Sequence, residues 1–101
     1  TAKTMLDEER FKIMAHRCEV EMTQHLDAKA QERHYDNRIT CALRAGYPGP
    51  FQAEGIAFAT WMVNCNAVAY GLLAEAQAGT RQLPEDPQQL IDLLPPMVWP
   101  T

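Results

Sequence analysis

Basic residues are scarce in this sequence: nine Lys and Arg stand against thirteen Asp and Glu, giving a net charge of −4 and an isoelectric point near 5.2. That balance argues against the broad basic face with which a nucleic-acid binder displaces counterions from phosphates. The chain has no glycine-rich phosphate loop and no nucleophile elbow. The apolar/polar alternation of a half-buried strand is also missing, as are internal repeats and low-complexity tracts. Cysteines number only three, Cys18, Cys41 and Cys65, an odd and widely spaced set that argues for a reducing compartment over a secreted disulfide framework. No charged-then-apolar leader is legible, and Thr1 fits either a removed initiator methionine or a domain cut from a longer protein.

The longest absence is of charge. From Gly55 to Ala74 no residue is charged, and 15 of the 22 charged residues fall within residues 1–38. The first third therefore reads as solvated and the remainder as buried. Phe51, Gly55, Phe58, Met62, Cys65, Ala69, Leu72 and Ala76 follow an alternating four-three spacing, which draws one stripe along a helix. Ile56, Ala59, Val63, Tyr70 and Leu73 form a second stripe, so the helix is expected to be buried round most of its circumference. The length also suits a bilayer span, but Asn64 and Asn66 fall near its middle and no basic cluster flanks it, so no membrane is expected.

The expected fold is all-α: one domain over residues 1–101, or the C-terminal domain of a longer protein, built as a small bundle with two long helices, two short ones and an extended Pro-rich tail over 95–101. The first helix starts after Thr4, where Thr4 and Asp7 make a capping-box-like start, and runs to about His34 with Phe11, Met14, Ala15, Cys18, Met22 and Leu26 as its apolar seam. Asp36 is expected to cap a second helix through Leu43, ended by Gly46 with positive φ. Tyr47-Pro48-Gly49-Pro50 is a tight reversal, with Pro50 as the first residue of the third helix and Gly79-Thr80 its end. Asp86, Pro87 and Gln89 supply cap, N1 and reciprocal side chain for a last helix through Leu94, which Pro95-Pro96 stops. Gly55 and Gly71 each cost about 1 kcal/mol inside a helix, which implies close approach by a neighbouring helix or a large side chain such as Trp61 or Phe11, or else a groove for a partner.

Candidate chemistry is thin. His16 and Cys18 lie two apart on a helix, and His25 and His34 nine apart, spacings that chelate nothing, so no metal or cofactor is expected. Cys65 lies on the apolar stripe, whereas Cys41, three residues from both Arg38 and Arg44, is a conceivable activated thiol with a small buried side chain as the plainer reading. Glu8, Glu9, Glu19 and Glu21 form a wet helical face and not an acid/base pair. The expectation is a protein without catalytic residues. Partner binding has more support, because so short a chain has little with which to cover two long apolar faces. The third-helix stripe packs within the subunit or against copies of itself. Pro95, Pro96, Met97, Val98, Trp99 and Pro100 form either a lid on the core or a preorganised docking segment, and with Tyr47 and Phe51 they are the candidate partner-binding residues.

Several strings add a context. Tyr35-Asp36-Asn37-Arg38-Ile39 through Ala45-Gly46-Tyr47, Phe51-Gln52-Ala53-Glu54-Gly55, Phe58-Ala59-Thr60-Trp61, Leu73-Ala74-Glu75, Ala78-Gly79-Thr80-Arg81, Leu94-Pro95-Pro96 and Trp99-Pro100 occur in that order. Together they resemble a domain of unknown function found near the C-termini of bacteriophage and prophage proteins encoded around tail and tail-fibre genes, over about residues 20–101. Val63-Asn64-Cys65-Asn66 departs from the pattern, which often has an acidic residue after the Trp-Met pair. The resemblance implies a non-enzymatic assembly chaperone or accessory factor that binds a phage tail or tail-fibre subunit, in the host bacterial cytoplasm during assembly or in the virion tail. A small structural tail subunit and a phage-encoded inhibitor of a host protein, acting through the acidic first helix, are the alternatives.

Overall fold

The computed structural model describes residues 2–100, with side chains from Asp7 onward. It is all-α: helices α1 (Ala2–Glu32), α2 (Arg38–Leu43), α3 (Gln52–Ala78) and α4 (Pro87–Ile91), a single 3-10 turn at Arg44–Gly46, and an extended tail. The Thr4–Asp7 cap expected for α1 involves a side chain outside those described. Helix α1 ends at Glu32 because His34 turns into the left-handed region, φ 70°, and the Tyr35 N–H reaches back to the Ala30 carbonyl at 3.2 Å. Here a histidine takes the conformation that glycine adopts at lower cost.

Asn37, not Asp36, caps α2. Its Oδ1 accepts from the backbone N–H groups of Ile39 and Thr40, and the Thr40 hydroxyl accepts in return from the Asn37 N–H. Both residues are good caps by type, and the threonine three positions on closes the reciprocal box only for Asn37. Gly46 closes the 3-10 turn without a positive φ; Gly49, at φ 156°, is the glycine that the reversal requires. Helix α3 begins at Gln52 with Phe51 at its cap position, two residues later than Pro50. It ends as expected, with Gly79 at φ 83° and the Thr80 N–H bonded to the Glu75 carbonyl. In α4, Asp86 accepts from the Gln88 N–H, but Gln89 reaches back to the Glu85 N–H and the helix stops at Ile91.

Met14, Cys18 and Met22 of α1 pack with Ala69 and Leu72 late in α3, while Leu26 and Ala30 pack with Phe58 and Trp61 early in it, so the two long helices run antiparallel. Leu90 of α4, almost fully buried, is wedged beside Met14, Cys18 and Met22. At the other end α2 delivers Cys41 to the cluster of Phe58, Trp61 and Cys65. Asp27 fastens α2 to α1 by accepting from both the backbone N–H and the guanidinium of Arg38, at 2.9 and 3.0 Å. The molecule is long and thin, 57 × 22 × 20 Å, with a radius of gyration of 16.1 Å. A compact chain of about 100 residues would have about 13 Å, so little of its surface can be far from solvent.

That shape overturns the expectation for α3. Only Gly55, Phe58, Trp61, Cys65 and Ala69 of the helix are buried. Ile56, Val63 and Tyr70 of the second stripe are 50%, 63% and 60% exposed, and Phe51, placed in the first stripe by its spacing, lies outside the core. The physical reason is numerical: α1, α2 and α4 together cover one side of a helix of about 40 Å, and no element remains for the other.

Candidate protein-docking surfaces

The proline-flanked tail lies on the core. The Trp61 indole donates to the Pro95 carbonyl at 2.7 Å, Trp99 stacks on Phe58 with centroids 6.0 Å apart and planes at 15°, and Leu94 and Met97 pack beside them. Arg33 sits 5.1 Å above the Trp99 ring while its guanidinium pairs with Glu54, which also accepts from the Tyr35 hydroxyl at 2.9 Å. Burial and that hydrogen bond push the Tyr35 pKa up to about 12. The Trp99 Nε1 is buried and makes no well-formed hydrogen bond, although it lies near enough to the Glu32 carboxylate to favour its ionised form. Of the candidate partner-binding residues, Met97, Trp99, Pro95 and Pro100 are thus half-buried within the chain, whereas Pro96 and Val98 face solvent.

Tyr47 and Phe51 are 58% and 54% exposed at the corner where α2 gives way to α3. Ile39 and Leu43, one turn apart on α2 and both exposed, extend the apolar surface at this end. Phe51 lines a cleft of about 380 Å³ with Arg33, His34, Tyr35 and Arg44. The corner is therefore aromatic, with Arg33 already paired to Glu54 and Arg44 the remaining guanidinium of the cleft. Its composition suits contact with an apolar segment. The backbone of the Arg44–Ala45 turn lies directly against Gly55, which anchors the corner to α3.

The second exposed surface was not legible as such in the sequence: the outward face of α3, carrying Ile56, Val63 and Tyr70. Near its C-terminal end it borders an apolar groove of about 270 Å³ between α1 and α3, lined by Phe11, Met22, Leu73 and Leu90 among others. Helix α3 is also long and apolar enough to cross a membrane.

No group of three His, Cys, Asp or Glu side chains among the described residues is placed to hold a metal. All three thiols are free and buried. Burial pushes Cys41 and Cys65 up to about 11 and raises Cys18 as well, so the activated thiol conceived at Cys41 is not what the fold provides: Cys41 is fully enclosed, and desolvation, with the Glu54 carboxylate adding to it, disfavours its thiolate. No protein-family model matches the chain, and no curated protein or solved structure matches it.

One titration bears on stability. The His25 ring packs at 5.6 Å against Trp61, and burial, with Lys29 nearby, lowers its pKa below 6.5. The unfolded chain then takes up this proton more readily than the folded one. The stability tied to neutral His25 is therefore complete above 6.5 and is lost as pH falls toward the folded value. Thermal unfolding followed from pH 7.5 to 5 should show a falling midpoint, and His25→Gln should flatten that fall; an identical slope in the variant would assign it to other groups.

Proposed function

We propose that this is a non-enzymatic protein-binding module that engages another protein through the corner formed by Tyr47, Phe51, Ile39 and Leu43. The observation that carries the reading is the exposure of these four large apolar side chains on α2 and the turn into α3, with Phe51 lining the cleft of Arg33, His34, Tyr35 and Arg44. Exposed apolar clusters of this kind, rimmed by charge, favour a partner surface over solvent. The resemblance of the chain to proteins encoded near phage tail genes names the class of partner: a tail or tail-fibre subunit, bound during assembly in the host cytoplasm or held in the virion.

The test is direct mixing of the purified protein with the purified tail and tail-fibre subunits encoded beside it, followed by size exclusion. A complex that Phe51→Ser with Tyr47→Ser abolishes, and that the unaltered protein forms at micromolar concentration, is the expected result. Failure of every such subunit to bind would overturn the tail assignment. A complex indifferent to both substitutions would remove the corner from the reading.

A further inference from the structure

The outward face of α3 carries two interleaved seven-residue series. One is small: Ala53, Thr60, Ala67 and Ala74. The other is larger: Ile56, Val63, Tyr70 and Gln77. All eight residues are exposed. Alternating four-three spacing is the pattern with which one helix packs along another, and small residues at every second position let two backbones approach closely. This is a different surface from the buried stripe through Phe58 and Cys65, which is already used inside the chain.

Reversing the direction of the helix exchanges the two series. When a second α3 runs antiparallel with its two-fold axis at the level of Cys65, Ile56 meets Ala74, Thr60 meets Tyr70, and Val63 meets Ala67. Ala53 meets Gln77 at the ends of the strip. At each of these levels a larger side chain falls opposite a smaller one, which is the packing a close helix pair needs. Asn64, exposed on the flank, falls beside Asn64 of the second copy, where the two amides can exchange hydrogen bonds and fix the register. We infer that the outward face of α3 is a homodimer interface, in which two copies of this chain pair antiparallel about the level of Cys65.

Charge points to the same occupant. An isologous contact brings a surface against itself, so each charge near the axis meets its own sign. From Gly55 to Ala74 there is none. The acidic residues that bound the stretch are paired within the chain, Glu54 with Arg33 and Glu75 with Arg81. Size sets the strength of the pair. Residues 53–77 extend on the order of 36 Å, and a strip roughly 10 Å wide along two such helices buries about 700 Å² in total, the scale of a weak, reversible dimer that forms at high protein concentration. The pairing leaves Tyr47 and Phe51 outside the strip, so it is independent of the function proposed above.

The experiment is sedimentation equilibrium of the full chain over a range reaching high protein concentration, beside four variants whose altered side chains are exposed and whose helicity is checked by circular dichroism. The expected wild-type species has twice the 11.4 kDa mass of one chain. Val63→Glu should weaken it at least about 100-fold, because the carboxylate is buried against Ala67 with no counter-charge. Ala67→Val alone should weaken it by overpacking, and Val63→Ala with Ala67→Val together should restore it, since the swap exchanges large and small within the same pair. Asn64→Cys should form an intermolecular disulfide under mild oxidation, the native thiols being buried.

A protein that remains monomeric at every concentration overturns the pairing. So does a dimer untouched by Val63→Glu, or one that the double swap fails to restore. Transfer of the wild-type chain to neutral phosphatidylcholine vesicles in place of dimerisation would assign the face to a membrane and overturn it equally. None of these outcomes touches the corner, which Phe51→Ser with Tyr47→Ser tests separately.

Discussion

Gly55→Ala should destabilise the protein by at least about 3 kcal/mol, although alanine is the better helix former by about 1 kcal/mol. A Cβ built on Gly55 lands on the backbone of the preceding turn, against the Ala45 nitrogen, with the Arg44 carbonyl carbon 2.7 Å away and the Arg44 Cβ 2.8 Å away. Backbone atoms cannot swing aside as the end of a long side chain can. The 3-10 turn would have to lift from α3, breaking the Gln52 side-chain bond to the Ala45 carbonyl and loosening Cys41 against Phe58. Gly71, sixteen residues along the same helix, is the control. Nothing lies within 4 Å of a Cβ there, so Gly71→Ala should gain the propensity term alone, about 1 kcal/mol or roughly 4–8 °C in Tm for a domain of this size. Both variants are best measured in the Val63→Glu background, where association adds nothing to apparent stability. The same sign for the two substitutions would refute the account of the corner as a backbone-to-backbone contact.

The two glycines also mark how far the sequence could be read. Their shared cost implied that something packs close to each, and this holds for Gly55, where the neighbour is a turn of backbone and not Trp61 or Phe11. For Gly71 no neighbour within the chain comes close, since that residue faces open space, and of the two explanations only a groove for a partner is left. Along α1 the seam reads correctly at Met14, Cys18, Met22 and Leu26, which are buried, while Phe11 and Ala15 are only half-buried and the charged Glu8, Lys12 and Glu19 are exposed. Along α3 the same method had no charges with which to orient the helix. The first stripe contains the buried Phe58, Cys65 and Ala69, yet Trp61, nearly fully buried within the cluster, belongs to neither stripe. An uncharged helix has no wet face in its sequence, so only the supply of neighbours decides which side is covered. That supply is a tertiary fact. The corner was legible in part, since Tyr47 and Phe51 follow from the Pro-Gly-Pro reversal, while Ile39 and Leu43 depended on how α2 docks.

Removing the chain from Pro95 onward should cost about 3 kcal/mol and expose the Phe58–Trp61 cluster. Three interactions are lost together: the Trp99 stack on Phe58, the packing of Met97, and the Pro95 carbonyl that satisfies the Trp61 indole. A second truncation separates them. Stopping after Pro96 keeps that carbonyl and removes only Met97, Trp99 and their neighbours, so the difference between the two variants measures the exchange of the Trp61–Pro95 hydrogen bond for one to water, together with the packing of Pro95 and Pro96, about 1 kcal/mol. Either truncation leaves Trp61 as the sole tryptophan. Its emission should shift to the red as water reaches the ring, and binding of an apolar dye should rise in parallel. The His25 ring packs on Trp61, so water admitted around Trp61 should reduce its burial, move its lowered pKa back toward 6.5 and shrink the acid sensitivity of the fold with it. An unchanged midpoint and an unshifted emission after truncation would mean that the tail rests on the core without holding it. The segment from Pro95 to Pro100 would then be available to a partner at little cost to the fold.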